Sequence, residues 1–107
     1  MLVVTNQIQT KLGFAEKMAP RFTRPGALLE MKGFVKVEVL ITKNLTDYDE
    51  LKVNMYWKTM EDFQHWKNSD AFKEAHKGSN APGQESPILD SQIIISEVAS
   101  TLEAISE

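Results

Sequence analysis

Apolar and polar residues alternate along three stretches of the chain, the pattern that half-buried β-strands produce. The first stretch runs from Leu2 to Thr10, the second is GFVKVEVLI at 33–41, and the third is LKVNMYW at 51–57. Only a polar stretch at 43–50, predicted as a turn or loop, separates the second strand from the third. These two strands are therefore predicted to pair as an antiparallel hairpin.

One side of the second predicted strand is aliphatic, and its residues are Val35, Val37, Val39 and Ile41. A helix is predicted before this strand, from about Gly13 to Thr23, where three apolar residues recur every four positions. Pro20 falls inside that helix and is expected to loosen it, because proline lacks the amide hydrogen that a helical turn needs.

A second helical region follows the third strand. Thr59 precedes Asp62 by three residues, which is close to a capping box and predicts a helix over about 60–67. Another short helix is predicted over 71–77, beginning at Ser69 or Asp70. The segment 78–87 is rich in Gly, Pro, Ser and Asn and is predicted to be a mobile loop. A last strand is predicted over about 91–99.

The resulting order, β–α–β–β–α–β, predicts an α+β fold of the ferredoxin-like type. In this fold the helices cover one face of an antiparallel sheet. We expect the other face to carry more apolar side chains than a solvated surface does. A homodimer whose sheets close on each other would bury such a face.

Composition narrows the class of protein. The 107 residues suit a single domain over 1–107, and the net charge of −3 provides no electrostatic basis for binding nucleic acid. No apolar run is long enough to cross a membrane. The chain has no cysteine, which excludes disulfides and thiolate ligands and fits a cytoplasmic location.

Asn6 interrupts the apolar side of the first predicted strand, since it is in phase with Leu2, Val4 and Ile8. A buried amide without a hydrogen-bond partner costs roughly 1–3 kcal/mol. Asn6 is therefore expected to bond either to another group of the protein, which is the more common case, or to a ligand.

His76 lies at the end of a predicted short helix, and it has two interpretations. It is either a surface histidine that interacts well with the helix dipole or a metal ligand. The only other histidine, His65, is eleven residues away on a different predicted helix, so a zinc site of several protein ligands is not expected. Haem needs a single histidine, because the porphyrin supplies four ligands.

For the other candidate residues, a structural role is the favoured interpretation. Phe63 and Trp66 share one helical face, where aromatic residues more often form core than cofactor wall. Glu61 and Asp62 suit helix capping better than catalysis, and the Tyr48-Asp49-Glu50 stretch is predicted to be a solvated loop. The sequence contains no Ser–His–Asp spacing, no phosphate-binding glycine loop and no HExxH.

Taken together, these residues resemble a known family. Asn6 and the stretch WKTMEDFQHWKNSDAFKEAHK at 57–77 resemble the IsdG-type haem-degrading monooxygenases of the antibiotic biosynthesis monooxygenase superfamily. The resemblance runs from VVTN at 3–6 to the final strand. Its most specific part is Trp66 followed by SDAFKEAH at 69–76.

The resemblance implies a ferredoxin-like protomer whose dimer forms an α/β barrel with one haem site per protomer. His76 matches the proximal iron ligand, Asn6 the amide on the distal side, and Trp66 the bulky side chain that presses on the porphyrin. Arg21 and Phe22 match an Arg-Phe pair, in which Phe22 lines the pocket and Arg21 attracts a haem propionate. A surface arginine is an equally good interpretation of Arg21.

The implied reaction uses haem as both substrate and cofactor. It consumes O2 and electrons from an external donor such as a reductase, and it releases iron and an open-chain tetrapyrrole. Two alternatives stay open on the sequence. One is a cofactor-independent quinol-type monooxygenase of the same superfamily, and the other is a haem-binding protein with no activity.

Overall fold

A computed structural model of the chain describes residues 1–75 and 87–105. The strands are β1 (Leu2–Thr10), β2 (Phe34–Ile41), β3 (Asp49–Trp57) and β4 (Ile88–Glu97). The α-helices are α1 (Phe14–Met18), α2 (Met60–Lys67) and α3 (Asp70–Ala75). Two short 3₁₀ helices, Ala19–Thr23 and Ala27–Glu30, connect α1 to β2.

The four strands form one antiparallel sheet in the order β2-β3-β1-β4. This topology confirms the predicted ferredoxin-like α+β fold, including the β2–β3 hairpin. β1 lies between β3 and β4, and Asn6 on β1 is opposite Val53 on one side and Ile93 on the other. Residues that pair across strands share a face of the sheet, so these three side chains are neighbours.

Both predicted helical regions form as far as the described residues reach, with differences that have local causes; the last two residues of the helix predicted over 71–77 and nearly all of the loop predicted over 78–87 lie outside them. The first is α-helical only to Met18 and continues as a 3₁₀ helix to Thr23, as the expected loosening at Pro20 predicts. α2 begins as predicted, since the Thr59 hydroxyl accepts a hydrogen bond of 3.1 Å from the Asp62 amide. The Ser69 hydroxyl accepts one of 3.1 Å from the Phe72 amide at the start of α3.

The polar stretch at 43–50 is not solvated throughout, so this prediction is wrong at its end. β3 already begins at Asp49, whose carboxylate accepts hydrogen bonds from the amides of Gly13 (2.8 Å) and Ala15 (3.3 Å) at the start of α1. Glu50 is only 8% exposed and accepts a hydrogen bond of 2.8 Å from the Thr42 hydroxyl. Both acids are structural groups that hold neighbouring elements together.

Two strand predictions need correction. β4 begins at Ile88 rather than at about 91, because its pairing with β1 extends to Thr10 and includes the polar residues there. In β2 the register shifts between Phe34 and Lys36, which moves Val35 out of the predicted aliphatic side. Val35 is 39% exposed, and Phe34 packs against the core instead.

The core consists of two clusters on the helix-covered face of the sheet. One lies beneath α2 and contains Leu2, Val4, Trp57, Phe63 and Trp66. The other lies against α1 and contains Ile8, Ala15, Met18, Leu51 and Val53. On β1, Asn6 stands between Val4 of the first cluster and Ile8 of the second. The predicted apolar face of β1 is therefore buried on both sides of the amide.

The opposite face of the sheet is mainly polar, so the expectation of an apolar uncovered face is wrong. Thr5 donates a hydrogen bond of 2.8 Å to Asn54, and Tyr56 donates one of 3.3 Å to Glu38. Leu40 and Ile94 are exposed apolar exceptions on this face. Exposed apolar side chains are concentrated on the edge strand β4 and the residues after it. They are Ile88, Leu89, Ile93, Ile94, Ile95, Val98, Leu102 and Ile105. Within the described chain, no helix has the length and apolar character to cross a membrane.

Candidate functional site

A cavity of about 270 Å³ lies between the helices and the sheet, beside Asn6. The sheet contributes Val4, Asn6, Val53, Met55, Ile93 and Ile95, and the helical segments contribute Phe22, Phe63, Trp66, Lys67 and Phe72. Nearly all of these side chains are aliphatic or aromatic. The exceptions are one amide, Asn6, and one ammonium group, Lys67.

The side chain of Asn6 has no protein partner for its oxygen. Oδ1 is buried, and no described residue donates a hydrogen bond to it. Asn54, on the neighbouring strand and the opposite face, contrasts with it, because its Oδ1 accepts the hydrogen bond from Thr5. Within residues 1–75 and 87–105, the oxygen of the Asn6 amide therefore has no protein partner.

Trp66 belongs to the core and to the cavity wall at once. It is 5% exposed, and its ring stacks on Trp57 with ring centroids 6.5 Å apart. Phe72 on α3 meets the same ring edge-on at 5.6 Å. Aromatic contacts on two sides hold the indole in one orientation, so this part of the wall is rigid.

The two residues of the Arg-Phe pair lie in different surroundings. Phe22, on the first 3₁₀ helix, is half-buried and lines the cavity opposite Trp66. Arg21 is exposed and is absent from the cavity wall. The cation that does border the cavity is Lys67, which the sequence analysis did not single out. The available signal was its position four residues after Phe63, on the same helical face.

His76 lies outside the described residues, one position beyond the end of α3 at Ala75. Its role as an iron ligand stays a prediction. His65 is exposed on α2 and does not border the cavity. No three side chains of His, Cys, Asp or Glu type come together as a metal site in the described part of the chain.

The arrangement suits a mainly apolar ligand that carries some polar groups. Its walls could bury the apolar body of a ligand, with the Asn6 amide and the Lys67 ammonium group as its polar contacts. Fold and cavity together define a ferredoxin-like α+β protein with a ligand site between its helices and its sheet.

A model of the family described as antibiotic biosynthesis monooxygenase matches residues 1–78. This match spans more than half of the 107 residues, and the chain belongs to the antibiotic biosynthesis monooxygenase family, a family of enzymes.

Relatives along nearly the whole length share a more specific name. The chain is 48% identical over 103 residues to the heme oxygenase (staphylobilin-producing) of Staphylococcus saprophyticus, covering 95% of this chain and 99% of that one. It is 41% identical over 98 residues to the heme-degrading monooxygenase of Bacillus mycoides, covering 92% and 90%. These relatives confirm the resemblance to the IsdG-type enzymes that residues 57–77 indicate.

Solved structures confirm the fold. A protein of Bacillus cereus assigned to the same family matches with a TM-score of 0.81 at 22% identity, covering 96% of this chain and 97% of that one. MhuD of Mycobacterium tuberculosis, a heme degrader with two hemes bound in its active site, matches with a TM-score of 0.70 at 23% identity. The superposition with MhuD covers 96% of this chain and 100% of that one.

Proposed function

We propose that this protein is a haem-degrading monooxygenase, which uses O2 and external electrons to open the porphyrin ring and release iron and a linear tetrapyrrole. The names of the relatives at 41–48% identity support this proposal. The observation that carries it is the apolar cavity beside Asn6, whose walls include the aromatic rings of Phe22 and Trp66.

Haem fits the groups that the cavity presents. The porphyrin is flat and apolar, which suits aromatic and aliphatic walls, and the NH2 group of Asn6 can donate a hydrogen bond to an acceptor on the ligand. When bound, haem supplies the iron that activates O2 and the carbon at which the ring is opened. The protein then needs to bind, orient and shield, without an acid–base pair of its own.

Each matched residue has a defined task in this proposal. Asn6 offers a hydrogen bond on the distal side, and because an amide does not ionise, it orients a polar group without readily transferring a proton to it. Trp66, held by Trp57, would present a fixed bulky ring to a bound porphyrin and press against it. Phe22 closes the wall, and His76 is the proposed proximal ligand. Arg21 stays a prediction as a propionate partner.

We further propose that two copies form the dimeric α/β barrel of this family, with a reductase or another donor supplying electrons. The apolar residues exposed on β4 and beyond it support association. The cytoplasmic location expected from the absence of cysteine stays a prediction.

A hemin titration followed by visible absorption tests the proposal, with a reductant then added in air. We expect a saturable Soret band at one haem per chain, followed by bleaching and release of iron. His76→Ala should abolish turnover. His65→Ala is the matched control and should behave as wild type, because His65 is exposed and away from the cavity.

Each other outcome has a distinct meaning. If the Soret band persists after an electron donor such as a reductase is supplied, the proposal of an enzyme is contradicted. The protein is then a haem carrier. The absence of any band rejects haem as the ligand. The cofactor-independent quinol-type monooxygenase would then be the better account of the same cavity.

A further inference from the structure

Among the described residues, Lys67 is the only charged side chain on the wall of the cavity, and it belongs to neither core cluster. We propose that Lys67 binds a carboxylate of the ligand and thereby selects porphyrins that carry free carboxylates over uncharged ones. This inference rests on the proposed function, and it assigns the specificity-determining cation to α2 rather than to Arg21.

Lys67 on α2 lies at the edge of the cavity, between the buried core and the solvent. Phe63, one helical turn earlier, is buried in the core, and Trp66 beside it is buried as well. Lys67 is exposed but borders the same cavity. Its aliphatic stem can therefore follow the apolar wall while the ammonium group stays in water at the rim.

The charge of Lys67 is available to a ligand. No acidic residue lines the cavity, and Lys67 has no ion pair within the described residues. Lys36 and Lys52 differ, since they lie 3.6 Å from Glu38 and 3.9 Å from Glu50. An ammonium group without a counter-ion at the rim of an apolar site favours a ligand with negative charge at its edge.

The cavity is too small to enclose the charged carboxylates of a porphyrin. Its volume of about 270 Å³ is below the roughly 300–1,000 Å³ of typical ligand sites. A porphyrin that enters it must therefore extend beyond the described walls. Charged substituents stay in water because burying them is costly. The carboxylates are thus expected at the rim, which is where Lys67 lies.

Equilibrium titration with two ligands tests this inference without measuring turnover. The ligands are hemin and its dimethyl ester, which has the same macrocycle and iron but no carboxylate. For Lys67→Met, which keeps the aliphatic stem, we expect hemin binding to weaken about tenfold, the order of a charge-assisted hydrogen bond at a partly exposed site. Binding of the ester should not change, and Lys67→Arg should restore the affinity for hemin.

Lys58→Met is the matched control, because Lys58 is an exposed lysine that is not part of the cavity wall. It should bind both ligands like the wild type. Equal hemin affinity in wild type and Lys67→Met overturns the inference. So does an equal loss for hemin and ester, which indicates that Lys67 only supports the wall. If the wild type binds neither ligand, the proposed function and this inference both fall.

Discussion

At the scale of single residues, two asparagines on neighbouring strands have opposite surroundings. Asn54 lies on the polar face and accepts a hydrogen bond from Thr5. Asn6 lies on the core face, between Val4 and Ile8, with its oxygen buried and without a partner among the described residues. A ligand site that leaves a polar atom unpaired costs stability while it is empty.

Asn6→Leu is therefore expected to raise the stability of the ligand-free protein by up to about 1 kcal/mol, since an apolar side chain of similar size suits the surrounding core. Urea unfolding measures this change. The same variant should bind hemin but degrade it much more slowly. Asn54→Leu is the control and should lower stability by about 1 kcal/mol, because the Thr5 hydroxyl loses its acceptor. A fall in stability for Asn6→Leu would show that its amide is satisfied.

At the scale of elements, the turn that leads into β2 is in direct contact with the segment that begins α2. The Gly33 carbonyl accepts a hydrogen bond of 2.8 Å from the Lys58 amide, and Gly33 has a φ of +80°. A β-carbon at this position would run into the side chain of Asp62. Gly33 thus meets both conditions that exclude other residues, a left-handed backbone and a close approach.

Three glycine-to-alanine substitutions separate these two conditions. Gly26 has extended backbone and open space, so Gly26→Ala should change the free energy of unfolding by less than about 0.5 kcal/mol. Gly13 has a φ of +88° but open space, and Gly13→Ala should cost about 1 kcal/mol. Gly33→Ala adds the contact with Asp62 and should cost more than about 2 kcal/mol. Urea unfolding of the three variants should follow this order, and equal losses at Gly13 and Gly33 would contradict it.

At the scale of the whole molecule, β4 and the residues after it lack cover. Leu102 is 99% exposed and Ile105 is 93% exposed. The Cα radius of gyration is 15.4 Å, whereas a compact chain of this length has about 13 Å. An extended edge with so many aliphatic side chains is typical of a surface that a second copy covers.

Sedimentation at micromolar concentration should accordingly give about twice the mass of one chain. Leu102→Ser should weaken this association, because it removes apolar area that the partner would bury. Leu29→Ser is the control, since Leu29 is 65% exposed and lies before β2, at the opposite edge of the sheet from β4. If the wild type sediments as a single chain, the proposed barrel is wrong.

The sequence by itself determined the order of the main elements and the class of fold. The Thr59 cap and the loosening at Pro20 depend on contacts within a few residues and appear as predicted. The strand alternation holds except at Val35, where the register shifts. The phase of Asn6 was also readable, because side chains on a strand alternate strictly between the two faces.

Only the tertiary structure decided which polar groups are structural and which face a ligand. Asp49 caps α1 from more than thirty residues away, and Glu50 is buried by its neighbours across the sheet. Lys67 borders the cavity because α2 packs over β1. These outcomes depend on pairing and packing between distant segments, which local pattern does not encode. The same packing buries the oxygen of Asn6 without a donor. The polar residue on the apolar side of β1 thereby becomes part of a candidate site.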